Sequence, residues 1–109
     1  MSIEYRAAIL HAPQTPLSAE TVVAASVKRN DVLVRTKAAG LCHTDLEVIT
    51  GSLRYSMPIV LGHEAAGIVE DVGPEARGVA VGDHVVLSWN PHCGHCFYCD
   101  RDLPILCET

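Results

Sequence analysis

Four of the five cysteines lie close together near the end of the chain, and their spacing is typical of a metal site. Cys93, Cys96, Cys99 and Cys107 form the pattern C-x2-C-x2-C-x7-C. The two-residue gaps allow tight turns to bring successive sulfurs to one ion, and four thiolates suit tetrahedral Zn²⁺. The pattern therefore predicts a closed structural zinc site. A redox C-x-x-C pair and an iron–sulfur cluster remain as alternatives.

A second group of residues has the chemistry of a zinc site that keeps an open position. Cys42 lies in the segment G-L-C-H-T-D, and His63 and Glu64 follow Gly62. A thiolate, an imidazole and nearby carboxylates are the donors that such a site requires. Each residue also has a simpler interpretation, Cys42 as a small buried hydrophobe and His63 as a hydrogen-bonded core histidine. Spacing alone does not establish that the two side chains meet.

Short segments rich in β-branched residues must position these side chains. They predict strands over residues 3–10, 21–27, 32–38, 65–72 and 84–88. Thr44 and Glu47 fit a capping box, which predicts a short helix over about residues 45–50 that ends at Gly51. From Trp89 onward the strand pattern stops, so residues 89–109 are expected to fold around a metal. We therefore expect a mainly β protein, a partly open barrel with one short helix and a zinc-binding lobe.

Composition and charge narrow the classes of function. The chain has 109 residues, enough for one domain, and 49% of them are hydrophobic. Its net charge of −5 argues against a nucleic-acid or anionic-membrane surface. The apolar stretches are too short to span a bilayer, and no export signal is seen. An odd number of cysteines argues against a disulfide scaffold, so we expect a cytoplasmic protein with metal-binding or catalytic thiols.

Four motifs together resemble one enzyme family. G-L-C-H-T-D at residues 40–45, G-H-E at 62–64, G-D-H-V at 82–85 and the four-cysteine lobe occur in this order with fitting gaps. The chain resembles the N-terminal part of a zinc-dependent medium-chain alcohol dehydrogenase over essentially all of residues 1–109. The resemblance implies a GroES-like domain that carries a catalytic and a structural zinc. It also implies a following Rossmann domain that binds NAD(P).

The resemblance assigns roles at the two zinc sites. It implies that Cys42 and His63 are ligands of the catalytic zinc and that Glu64 lies beside that ion, where it ligates transiently as water leaves. Asp45 would orient the ligand His63. The structural zinc would be held by the lobe residues Cys93, Cys96, Cys99 and Cys107.

Three further roles concern the substrate and the cofactor. The resemblance implies that the Thr44 hydroxyl takes the proton of the substrate alcohol and that His43 faces the cofactor pyrophosphate. Trp89 would form an aromatic wall of the substrate pocket, with a core tryptophan as the alternative. Some relatives have a histidine proton relay one helical turn after the hydroxyl, and Glu47 occupies that position here.

The expected function belongs to a longer protein. The third protein ligand of the catalytic zinc and the cofactor motif G-x-G-x-x-G are both absent from these 109 residues. We therefore expect an N-terminal fragment, inactive alone, of an enzyme that oxidises an alcohol to an aldehyde or ketone with NAD(P). Small alcohols and aldehydes would be its partners, without nucleic acid or membrane, and the full-length protein is expected to be a homo-oligomer. The alternative is a stand-alone zinc-binding GroES-like module without catalysis.

Overall fold

The computed structural model describes residues 2–109 and consists of strands with one α-helix. In chain order the elements are β1 (Ile3–Leu10), β2 (Ser18–Ala24), β3 (Val32–Ala39), α1 (His43–Thr50), β4 (Ile59–Val60), β5 (Ala65–Val72) and β6 (His84–Val86). Two single-turn 3₁₀ helices, Cys99–Arg101 and Pro104–Leu106, lie in the cysteine lobe.

The strands form two antiparallel sheets of three strands each, in the orders β2-β1-β4 and β3-β5-β6. Within residues 2–109 these sheets stay open and do not close into a barrel. The predicted fold class is confirmed, because the chain is mainly strand with a short helix and matches a partial GroES-like fold.

The observed strand bounds agree with the predicted ranges for some strands and differ for others. Residues 3–10 and 65–72 form strands over the predicted ranges, and β3 extends the predicted range by one residue. The second strand lies three residues earlier than predicted, because its pairing with β1 begins at Ile9↔Ser18. The last strand ends two residues early at Val86, and the two-residue β4 was missed.

The apolar core is small. Among the described residues, the buried hydrophobic side chains are Ile9, Leu10, Val48 and Val69. They come from β1, α1 and β5, so each sheet and the helix contribute to the interior. In the part of the chain that the structure describes, no helix has the length and apolar character needed to cross a membrane.

The ladder between β3 and β5 positions the segments with metal-site chemistry. Ala39 pairs with Ala65 at one end of this ladder, and the backbone N–H of Gly40 donates to the Glu64 carbonyl at 2.9 Å. The chain leaves β3 and enters β5 at this same end. Cys42 and His63, which are 21 positions apart in sequence, are therefore brought to one place.

Candidate metal centres

The helix that follows Cys42 begins differently from the prediction. Cys42 occupies the N-cap position of α1, and its backbone N–H donates to Asp45 Oδ2 at 3.1 Å. The predicted capping box of Thr44 and Glu47 is therefore wrong, because the helix starts at His43 and Thr44 already lies in its first turn. Asp45 satisfies a backbone donor that the helix itself leaves free.

Cys42, His63 and Glu64 lie close enough to share one metal ion. One ligand atom from each of the three side chains lies within 4.8 Å of the others. Cys42 and His63 are half-buried and Glu64 is exposed. A thiolate, an imidazole and a carboxylate are ligands that Zn²⁺ accepts, and three protein donors leave the fourth tetrahedral position open. The donor set therefore fits zinc.

Two neighbours lie beside the two nitrogens of the His63 ring. Asp45 Oδ1 lies 3.7 Å from His63 Nδ1, and Thr44 Oγ1 lies 3.4 Å from His63 Nε2. A carboxylate beside Nδ1 favours a proton on that nitrogen, which leaves Nε2 as the donor for a metal. Asp45 thus both caps α1 and faces the imidazole.

The surroundings of Cys42 and His63 shift the pKa of each side chain toward its charged form. The pKa of the Cys42 thiol is lowered by hydrogen bonds from the Thr44 side chain and backbone, and further by His63. The pKa of His63 is raised, first by its hydrogen bond with Cys42 and then by the charges of Cys42, Asp45 and Glu64. A thiolate is the form of cysteine that binds metals, so the surroundings of Cys42 promote its donor form.

A small open cavity lies next to this cluster. It has a volume of about 190 Å³, and Thr44, Asp45 and His63 line it. Leu53 and Tyr55 contribute to its apolar side. Neither residue was predicted to line a site, because both follow α1 in an irregular segment where no spacing rule marks a side chain as cavity-lining.

The remaining predicted residues lie on the surface of the described chain. His43 is exposed at the first position of α1. Trp89 is 71% exposed, and it is not among the residues that line the 190 Å³ cavity. The roles predicted for these two side chains, with the substrate and the cofactor, stay predictions.

The four lobe cysteines form a second cluster, with one sulfur of each within 4.8 Å of the others. Cys93 Sγ and Cys99 Sγ are 4.0 Å apart, and all five cysteines of the chain are free. Four sulfurs at about 2.3 Å from a tetrahedral zinc lie about 3.8 Å apart, whereas a disulfide needs about 2.05 Å. The spacing therefore fits a four-thiolate metal site, with every tetrahedral position filled by protein.

Backbone N–H groups point at the lobe sulfurs and stabilise their charged form. The N–H of Cys93 donates to Cys107 Sγ at 3.3 Å, and that of His95 donates to Cys93 Sγ at 3.5 Å. Backbone donors at Glu108 and Cys99 lower the pKa of Cys96 to about 6. Burial and the neighbouring sulfurs raise the pKa of Cys99 to about 11. Four thiolates this close together repel one another, and a bound cation would offset that repulsion.

The fold is a β-sheet domain with a Cys–His–Glu cluster beside a cavity and a four-cysteine cluster in a separate lobe, and each cluster could hold a metal ion. Residues 28–109 match the alcohol dehydrogenase GroES-like domain family, and the chain belongs to that family. The family suggested by the sequence motifs is thereby confirmed.

Known proteins similar to the chain include several alcohol dehydrogenases. It is 45% identical, over 94% of its length, to an NDMA-dependent alcohol dehydrogenase of Amycolatopsis methanolica. It is also 42% identical over 99% of its length, with a TM-score of 0.92, to an alcohol dehydrogenase zinc-binding domain protein from Burkholderia ambifaria. A benzyl alcohol dehydrogenase from Acinetobacter calcoaceticus is 36% identical over 97% of the chain, with a TM-score of 0.89.

The chain is much shorter than these relatives. It spans 28% of the Amycolatopsis methanolica protein and 29% of each of the two solved structures. Residues 28–109, which match the family, include both clusters of the present chain.

Proposed function

We propose that this chain is the N-terminal part of a longer zinc-dependent alcohol dehydrogenase, which oxidises an alcohol to an aldehyde or ketone with NAD(P). The observation that carries this proposal is the Cys42, His63 and Glu64 cluster beside a cavity lined by Thr44. Family membership and the similarity to alcohol dehydrogenases support it. A Rossmann domain that follows residue 109 would supply the cofactor site.

Zinc is the proposed metal at both clusters. Bound by Cys42 and His63, with Glu64 beside it, zinc would act as a Lewis acid that lowers the pKa of a substrate hydroxyl. At the other cluster Cys93, Cys96, Cys99 and Cys107 would hold a structural zinc. With no position left open, that second ion would not meet the substrate.

Thr44 is the proposed acceptor of the substrate proton. Its hydroxyl lines the cavity and lies 3.4 Å from His63 Nε2, so it borders both the space for a substrate and the metal cluster. A hydroxyl accepts a proton and passes on its own, which suits a relay position. Asp45 would keep the His63 ring in one orientation through its contact with Nδ1.

His43 and Trp89 are proposed to contact the cofactor and the substrate. His43 is exposed in the first turn of α1, where free backbone N–H groups favour an anion such as the cofactor pyrophosphate. Trp89 presents a large exposed ring, which suits an aromatic pocket wall. The nicotinamide, held by another part of the longer protein, would supply the hydride-transfer chemistry.

The whole protein is proposed to work as a homo-oligomer in the cytoplasm, and residues 1–109 alone are proposed to be inactive. Five free thiols suit a reducing compartment. Open sheet edges suit association with further protein. The cofactor motif and a third strong zinc ligand would come from other parts of the longer chain.

The decisive experiment uses the full-length protein that contains these residues. We expect about two zinc ions per chain and formation of NAD(P)H with simple alcohols. Cys42→Ser is expected to remove one zinc and the activity, because it deletes a ligand of the open site. A downstream sequence without a glycine-rich βαβ unit, or full activity in the Cys42→Ser variant, would contradict the proposal.

A further inference from the structure

Gly40 has a backbone conformation that does not itself require glycine. The glycines with left-handed backbone torsions, which disfavour other residues, are Gly51, Gly62, Gly78, Gly82 and Gly94. Gly40 is not in that region, and it is exposed rather than buried in the core. Neither backbone strain nor core packing accounts for a glycine at this position.

The side chain of Glu64 occupies the space above Gly40. A Cβ built on Gly40 would overlap Glu64 Oε2, and it would lie 3.2 Å from Glu64 Cβ and 3.3 Å from Glu64 Cδ. The two residues extend the β3–β5 ladder by one pair, since the Gly40 N–H donates to the Glu64 carbonyl at 2.9 Å. Cross-strand partners present their side chains to the same face, so a side chain on residue 40 would compete with Glu64 for one space.

The carboxylate that lies over Gly40 is the one that belongs to the metal cluster. A ligand oxygen of Glu64 lies within 4.8 Å of the ligand atoms of Cys42 and His63. Gly40 precedes Cys42 by two residues, and Glu64 follows His63 directly. The missing side chain at residue 40 therefore leaves open the space from which the carboxylate reaches this cluster.

At two other glycines a Cβ would meet backbone atoms and not a side chain. A Cβ on Gly67 would meet the backbone carbonyl of Arg35, and one on Gly73 would meet the backbone carbonyls of Arg29 and Lys28. At those positions alanine would require the backbone itself to move, between β5 and β3 at Gly67 and between two loop segments at Gly73. At Gly40 the overlapping atom is Oε2, the far end of the flexible Glu64 side chain, which can rotate away. The Glu64 Cβ at 3.2 Å needs a shift of only a few tenths of an ångström.

We propose that Gly40 is a positioning residue, which keeps the Glu64 carboxylate beside Cys42 and His63 by leaving its space unfilled. A methyl group at residue 40 displaces the carboxylate from the cluster at little cost to the fold. The consequence for zinc binding rests on the proposed function, because it requires that the cluster holds zinc.

The test is a double-mutant cycle of Gly40→Ala and Glu64→Ala in the full-length protein, with zinc affinity of the Cys42 site measured by chelator competition. We expect each single variant to lose about 10-fold or more in affinity and the double variant to lose no more than Glu64→Ala alone. The spectrum of Co²⁺ at the same site should change in the same way. Gly78→Ala strains a left-handed backbone position but has no neighbour within 4 Å of its Cβ, so it is the control for a destabilising glycine replacement that does not touch Glu64, and it should leave zinc affinity unchanged.

Unchanged affinity in Gly40→Ala, or losses that multiply in the double variant, would overturn the proposal. If Gly40→Ala does not fold, we expect the double variant to fold, because Glu64→Ala removes the overlap with Oε2 and leaves only the 3.2 Å contact with Cβ. Failure of the double variant to fold would also overturn the proposal.

A readout without metal separates this inference from the proposed function. Nuclear Overhauser contacts between the Glu64 γ-protons and the Gly40 α-protons are expected in the metal-free wild-type protein and absent in Gly40→Ala. If Cys42→Ser leaves zinc binding unchanged, the proposed function is wrong. The NMR contacts then decide the role of Gly40, which stands if they are present and falls if they are absent.

Discussion

At the scale of single residues, Asp45 combines a structural and a chemical task. One carboxylate oxygen accepts the Cys42 backbone N–H at 3.1 Å, and the other lies 3.7 Å from His63 Nδ1. The same side chain therefore caps the helix that carries Thr44 and faces the imidazole of the cluster, which we expect it to orient. The two tasks are separable by substitution, because only one of them needs the negative charge.

We expect Asp45→Ala to lower zinc affinity at the Cys42 site by about 10- to 100-fold. It should also lower the free energy of unfolding by about 1 kcal/mol, the usual cost of a lost helix cap. Asp45→Asn keeps an oxygen for the Cys42 N–H, so its affinity should fall while its stability changes less. Chelator competition and urea unfolding measure the two effects. Glu47→Gln is the control on the same helix, and a stability loss there as large as in Asp45→Ala would contradict this capping scheme.

Trp89 permits a prediction about substrate choice in the full-length enzyme. If its exposed ring forms a wall of the substrate pocket, it favours flat or unbranched primary alcohols and restricts bulk near the reacting carbon. Trp89→Ala should then raise kcat/KM for bulky secondary alcohols relative to benzyl alcohol. Steady-state kinetics with both substrates measure the ratio. An unchanged ratio would assign Trp89 to packing against another part of the protein.

At the scale of elements, the cysteine lobe has few stabilising interactions apart from the cluster of its four sulfurs. None of residues 89–109 is buried, and the regular structure consists of two single-turn 3₁₀ helices. Phe97 packs edge-on against Tyr98 at 5.2 Å, and the Arg101 guanidinium lies 3.7 Å from the Phe97 ring centre. Such exposed contacts contribute about 1 kcal/mol each, whereas zinc contributes about 10–16 kcal/mol in peptides that fold around it.

Removal of zinc is therefore expected to unfold the lobe and leave the two sheets folded. Hydrogen exchange of residues 89–109 should become fast after chelation, while amides of β3 and β5 stay protected. Cys96→Ser should give the same result in the presence of zinc, because it removes one of four ligands. Cys42→Ser is the matched control, since it affects the other cluster and should leave the lobe protected. Equal protection of the lobe with and without metal would contradict the prediction.

The elements also show how far the sequence could be interpreted alone. The long strands β1 and β5 and the cysteine cluster were predictable, because alternation and ligand spacing are local patterns. The two-residue β4 has too few residues to show alternation, and its existence depends on pairing with β1. The capping pair was misassigned because Thr44–Glu47 and Cys42–Asp45 have the same spacing, and serine or threonine is the commoner cap. The relation of Gly40 to Glu64 depends on a cross-strand pairing that no local pattern encodes.

At the scale of the whole molecule, the chain exposes more surface than a compact protein of its size. Its accessible surface is 8193 Å², roughly 40% larger than the ~5,900 Å² expected for its mass. Its radius of gyration is 15.8 Å, against about 13 Å for a compact domain of this length. Large apolar side chains are among the exposed ones, including Leu41 at 94% and Val86 at 84%. Such surfaces are usually covered by further protein.

We expect the 109-residue chain expressed alone to bind the dye ANS and to self-associate, because Val86 lies on β6, an edge strand with free backbone groups. Sedimentation should give an average mass above 11.7 kDa that rises with concentration. Val86→Lys should shift association to higher concentration by placing a charge on the edge. Val81→Lys adds the same charge outside the strands and should have a smaller effect, although Val81 is also 61% exposed. A single species of 11.7 kDa at every concentration, without dye binding, would contradict the prediction that the open edges and apolar surface drive self-association.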